Sequence, residues 1–257
     1  MIDRRTFSTA LAAGVATSLL GVRSEARAAV RTRNVVLVHG AFADGSSWSE
    51  VIVRLQAVGM RVTAVQNPLT SLADDVAATR RALAQQDGPT VLVGHSYGGI
   101  VISEAGVDPN VSALVYVAAR AVDAGEDFTV LAKAFPPAPG SGGLVTSGAF
   151  AQLREDAFLN DFANGVDAAK ARALYAVQAP IAATLFSTAR TTVAAWRSKP
   201  SWYAVSKHDR MVNPQLERYM ATRMKATTIE VDAGHLSLVS RPQEIAELIL
   251  SAAGHET

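Results

Sequence analysis

Three residues of this chain have the types and the order needed for nucleophilic acyl transfer. Ser96 sits in Gly94-His95-Ser96-Tyr97-Gly98, a match to G-x-S-x-G. In that pattern the serine occupies a sharp strand-to-helix turn with its hydroxyl held above the edge of a sheet. Attack by a serine needs a base to take its proton and an acid to orient the base. Asp209, in Ser206-Lys207-His208-Asp209, and His235, in Asp232-Ala233-Gly234-His235, follow in the order serine, acid, base. Each stands just past a predicted strand, where a parallel sheet presents its site. The oxyanion formed on attack needs backbone N–H donors. Tyr97, directly after the serine, offers one. Ala41 or Phe42, in the loop after the first strand, offers the other.

Each alternative has a position that argues against it. Of the five histidines, His255 lies in a chain end expected to fray, and His95 is expected to pack beneath the serine turn. His39 is expected to bond its own loop backbone, and His208 follows its strand too closely to serve as base. Asp123, after the preceding core strand, and Asp232, three residues before the base, compete with Asp209 for the acid. Asp232 would point poorly from its strand. The glycines of the serine motif have a steric role: a side chain at 94 or 98 would strike the neighbouring strand or helix.

These residues require a scaffold of alternating strands and helices. Asn34–Val38 is a continuous apolar run, as in a strand buried on both faces. A helix capped by Ser46 or Ser47 follows, from Trp48 to about Val58. Arg61–Val65 is the next strand, and Ser71–Gln86 a helix with Ser71 as cap and Asp74 and Asp75 in its first turns. Thr90–Val93 leads into the serine turn, and Val111–Val117 is another buried strand. The core resumes with a strand at 201–206, a helix at 214–224, a strand at 227–231 and a last helix from about Pro242. Alternation of this kind gives an α/β fold with a mostly parallel sheet flanked by helices on both faces. Between about 121 and 197 the alternation stops. A Pro/Gly-rich linker at 136–143 is followed by expected helical pieces at 149–162, 168–176 and 179–186. An insertion at that edge of the sheet is expected to act as a helical lid.

Composition narrows the partners. The chain has 257 residues, 49% hydrophobic and 18% charged, which fits a single large core. A net charge of +1 gives no reason to expect nucleic acid as partner. With no cysteine, and no two histidines at ligand spacing on one element, thiol and metal chemistry are not expected. Residues 1–28 are expected to be a twin-arginine export signal: Arg4-Arg5, an uncharged run from Phe7 to Val22, then Ala26-Arg27-Ala28. The run is too short and too weakly apolar for a stable membrane span. The expected domain is then 29–257, in the periplasm or outside the cell. No oligomeric state is assigned from the sequence.

Val38-His39-Gly40-Ala41, Gly94-His95-Ser96-Tyr97-Gly98-Gly99, Asp209 and Gly234-His235 together resemble the α/β-hydrolase superfamily. More narrowly, they resemble the small branch that holds plant methylesterases, bacterial carboxylesterases and hydroxynitrile lyases. The resemblance implies a serine carboxylesterase that needs no cofactor and passes through an acyl-enzyme on a small-molecule ester. Lyases of the branch carry threonine after the first-loop histidine and lysine after the catalytic histidine. Gly40 and Leu236 stand there instead, which favours ester hydrolysis over lyase chemistry. A silent receptor on the same fold is the reading of a different class. The apolar residues of the insertion suggest an apolar acyl or aryl group.

Overall fold

The computed structural model describes residues 32–255. The expected export segment, 1–28, lies outside the described residues. In chain order the elements are β1 (Asn34–Val38), α1 (Ser49–Ala57), β2 (Arg61–Val65), α2 (Leu72–Ala84), β3 (Thr90–His95), α3 (Gly98–Ala105) and β4 (Val111–Val117). An insertion follows with α4 (Phe128–Ala132), β5 (Leu144–Ser147), β6 (Phe150–Leu153), α5 (Glu155–Ala157), α6 (Ala168–Ala176), β7 (Ile181–Ala182) and α7 (Leu185–Thr188). The chain closes with β8 (Ser201–Ser206), α8 (Pro214–Arg223), β9 (Thr227–Val231), α9 (Ser237–Ser240) and α10 (Pro242–Ala252).

The main sheet has six strands in the order β2-β1-β3-β4-β8-β9, every neighbouring pair parallel. The apolar runs fall in its centre because strands covered by helices on both faces have no solvent side. Val35, Val36, Leu37, Val91, Leu92, Val93, Leu114 and Val115 are all fully buried. The edge strands β2 and β9 keep exposed positions such as Arg61, Thr227 and Glu230. Val38 pairs with Gly94, and Gly94 with Tyr116, so the carboxyl ends of β1, β3 and β4 finish level with one another. All the candidate residues lie beyond that edge.

Capping follows the sequence in α2, where the Ser71 hydroxyl accepts the Asp74 N–H at 3.1 Å. It differs before α1. Asp44, not a serine, accepts the Ser46 N–H at 2.7 Å and caps a 3₁₀ turn, Gly45–Trp48, that feeds α1. The carboxylate stands closer to the loop and takes the free donors before either serine can.

The insertion differs more. It is not wholly helical: β5, β6 and β7 form a three-stranded antiparallel sheet. Residues 150–153, expected in a helix, alternate exposed and buried with period two. Gly148, with φ +57°, makes the tight turn that pairs Ser147 with Phe150. The helix at 168–176 stands where expected. Among the described residues no helix is long and apolar enough to cross a membrane.

Candidate active site

Ser96 follows β3 at φ +51°, a left-handed conformation that costs a non-glycine residue energy. Three backbone bonds hold it there. Its N–H donates to the Val117 carbonyl at 3.2 Å, and its own carbonyl accepts from Gly99 at 3.0 Å and Arg120 at 2.9 Å. Phe42 (φ +62°) and Ala118 (φ +45°), beyond β1 and β4, are also left-handed, so strain collects at this edge. Gly98 permits the turn. A Cβ there would stand 2.7 Å from the Val38 carbonyl oxygen and 2.8 Å from that of His39.

Asp209 is presented by the loop after β8. Its Oδ1 accepts the N–H groups of Met211 at 2.6 Å and Val212 at 2.8 Å. Its Oδ2 lies 2.5 Å from His235 Nδ1. His235 Nε2 lies 2.9 Å from Ser96 Oγ. All three side chains are buried. The carboxylate can only accept, so Nδ1 carries the proton and Nε2 is left to accept from the serine. That is the geometry a general base needs. The N–H groups of Ala41, Phe42 and Tyr97 make no hydrogen bond to an acceptor among the described residues, so the three expected oxyanion donors are uncommitted.

The alternatives are engaged elsewhere. Asp123 is paired with Arg197, Nε at 2.8 Å. Asp232 is paired with His208 at 2.8 Å and Lys207 at 3.3 Å, on the exposed side of the loop. His39 donates from Nδ1 to the Gly40 carbonyl at 2.8 Å and accepts the Asn67 N–H on Nε2 at 2.9 Å. Burial lowers its pKa and keeps it neutral. His95 is buried beneath the turn, as expected, and donates from Nε2 to the His235 carbonyl at 3.0 Å. His255 does not fray: Nε2 lies 3.3 Å from the Thr32 carbonyl.

The sequence pattern of the alpha/beta hydrolase family matches residues 35–248. This chain belongs to that family. The hydrolase is 26% identical over 242 residues to the alpha/beta hydrolase nvfD of Aspergillus novofumigatus (strain IBT 16806), covering 86% of this chain and 96% of that one. Among solved structures it is similar to polyneuridine aldehyde esterase, with a TM-score of 0.75 at 18% identity, over 86% of this chain and 98% of that one. A pyrethroid hydrolase from Sphingobium faniae JZ-2 gives 0.70 at 20% identity, over 87% and 98%. A methylesterase from Arabidopsis, MES16, gives 0.71 at 17%, over 86% and 98%. At these identities the structural likeness establishes the fold.

Four residues support the site of this hydrolase without any local pattern that marked them. Asn164, from the insertion, donates from Nδ2 to the His208 carbonyl at 2.9 Å and accepts the His235 N–H on Oδ1 at 3.4 Å. One amide thus bridges the loops that carry Asp209 and His235. Glu217 of α8 is fully buried and accepts the Ser206 N–H at 3.0 Å. Burial, with the charge of Asp209 beside it, raises its pKa well above the carboxylate range, so it stays neutral. Asp75 reaches Tyr97 from α2, and Arg120 follows β4; both return below. Asp75 had one faint signal, a second acid in a first helical turn where Asp74 already serves the cap.

Proposed function

We propose that this α/β hydrolase is a serine carboxylic-ester hydrolase that acts through an acyl-enzyme, without a cofactor, on small esters with apolar or aryl groups. The observation that supports this most is the unbroken run Ser96 Oγ, His235 Nε2, His235 Nδ1, Asp209 Oδ2, with contacts of 2.9 and 2.5 Å. In this reading His235 takes the Ser96 proton as the oxygen attacks the ester carbonyl. Asp209 holds the imidazole in the required tautomer and stabilises the imidazolium. The oxyanion accepts from the N–H of Tyr97 and of Ala41 or Phe42. His235 returns the proton to the leaving alcohol. Water, deprotonated by the same imidazole, then releases the acid and restores Ser96.

The insertion at 121–197 serves as the lid. Phe162 packs its ring 5.3 Å from that of His235 and 6.1 Å from that of Phe42, which excludes water from the base. Leu236 is buried where a lyase would need a lysine, and this keeps ester hydrolysis ahead of cyanide chemistry. That polyneuridine aldehyde esterase and the methylesterase share the fold is consistent with the reading. We further propose that residues 1–28 direct export by the twin-arginine route.

Ser96→Ala is expected to abolish turnover of a short-chain p-nitrophenyl ester and labelling by a fluorophosphonate, with an unchanged unfolding midpoint. Turnover at the wild-type rate would remove Ser96 from the mechanism. A fluorophosphonate adduct that forms slowly in a protein that binds its ligand without turnover would point to a receptor instead.

A further inference from the structure

A cavity of about 520 Å³ opens beside the oxyanion loop, walled by Phe42, Phe128, Phe135, Phe186 and Leu216. Its walls are mainly apolar, yet two cations line it, Arg120 and Lys133, and no aspartate or glutamate does. Lys133 is exposed at the rim. Arg120 is half-buried. Its guanidinium lies over the Phe186 ring at 4.1 Å and the Phe128 ring at 4.6 Å. Its Nε is buried with no partner. Among the described residues it forms no ion pair and donates no side-chain hydrogen bond. Arg190, Arg197, Arg210, Arg218 and Arg223, by contrast, each meet a carboxylate.

A half-buried cation that no carboxylate touches is costly to hold, and aromatic faces offset only part of that cost. They also leave the buried Nε–H without an acceptor. Burial lowers the Arg120 pKa to about 10, so the charge persists at neutral pH. The backbone fixes the group close to the chemistry: the Arg120 N–H donates to the carbonyl of Ser96 at 2.9 Å. Phe42, a candidate oxyanion donor, lines the same cavity.

We propose that Arg120 makes this cavity a subsite for a carboxylate borne by the substrate, so that the preferred esters carry an acidic group on an apolar or aryl body. The substrate carboxylate supplies the missing acceptor and counter-charge, bound in the two-pronged manner guanidinium groups favour. The rings of Phe128 and Phe186 hold the cation in place beside the cavity. Lys133 adds attraction at the mouth. The inference rests on the esterase reading above, because it names which ester that site selects.

The test compares kcat/KM for two matched pairs, 4-acetoxybenzoate against phenyl acetate and monomethyl adipate against methyl hexanoate. Wild-type enzyme is expected to favour the acid-bearing member of at least one pair by tenfold or more. Arg120→Gln should lower that preference at least tenfold, chiefly through KM, Arg120→Lys should restore part of it, and rising salt should weaken it. An unfolding midpoint for Arg120→Met at or above the wild-type value would agree with release of an uncompensated charge. Absence of any preference in wild type, or a preference unchanged in Arg120→Gln, would overturn the subsite. Fluorophosphonate labelling of Ser96 in the same samples separates the two readings. Labelled enzyme without acid preference defeats the subsite alone, whereas unlabelled, inactive wild type defeats the esterase reading.

Discussion

The Tyr97 hydroxyl donates to Asp75 Oδ2 at 2.8 Å, and this single bond ties the residue after the serine to helix α2. The other oxygen of Asp75 accepts the N–H of Leu69, a left-handed residue, also at 2.8 Å. A fully buried carboxyl therefore braces both the serine turn and the strained loop that enters α2. Burial dominates its titration and raises its pKa to about 6.

A pH dependence follows from that shift. A carboxyl whose pKa is raised by folding binds its proton more tightly in the native state. Its contribution to stability is complete below the unfolded value and is lost as pH rises through the native one. Asp75→Asn cannot ionise, so its stability relative to wild type should rise between about pH 4 and pH 6 and level off above pH 7. The gain is expected to be on the order of 3 kcal/mol. Urea midpoints of both proteins across pH 4–8 would measure it, and a constant difference would remove Asp75 from the titration.

The serine turn depends on close backbone approach. Gly98→Ala would set a methyl 2.7 Å from the Val38 carbonyl oxygen, and a strand in the centre of the sheet cannot withdraw. Loss of about 2–3 kcal/mol is expected in chemical unfolding, with activity falling as the turn shifts. Gly88→Ala, whose Cβ would meet only Asn34 Nδ2 at 4.0 Å, should be neutral or slightly stabilising.

Asp209→Asn keeps the shape of the acid and reverses its hydrogen bonding. An amide nitrogen facing His235 Nδ1 would donate, forcing the proton onto Nε2 and away from the position needed to accept from Ser96. A fall in kcat of about 10³–10⁴ is expected for a p-nitrophenyl ester, with KM little changed. A loss under tenfold would move the acid role to another carboxyl.

Asn164→Ala cuts the bridge between the His208 and His235 backbones. Destabilisation of about 1 kcal/mol is expected, with kcat lowered roughly tenfold because the imidazole is less firmly held. Asn164→Asp should keep the bond to the His235 N–H and lose the one to His208. Kinetics of the two variants would show which loop limits turnover.

The parallel sheet could be read from the chain because buried strands are written as uninterrupted apolar runs, as in Val35–Val38 and Val91–Val93. Chain order and strand ends were enough to nominate Ser96, Asp209 and His235, since each stands a few residues past an expected strand. The insertion was less legible. Its β6 is four residues long and pairs with β7 through only two positions, Phe150 with Ala182 and Ala151 with Ile181. Segments so short take their conformation from their neighbours, and local propensity gives them little direction.

The supporting residues show where a linear reading ends. Asp75 stood in the sequence only as one of two acids at a helix start, and the packing of α2 against α3 brought it to Tyr97. Asn164 lies 71 positions before the His235 backbone it contacts. The sequence by itself determined the strand order of the chemistry and which side chains could perform it, because those depend on residue type and local pattern. Tertiary structure alone decided that Asn164 would bridge two loops, that Glu217 would lose its charge beside Asp209, and that Arg120 would face a cavity without a counter-ion. Each of these depends on distances between remote segments and on how much water they exclude, and no stretch of neighbouring residues encodes either.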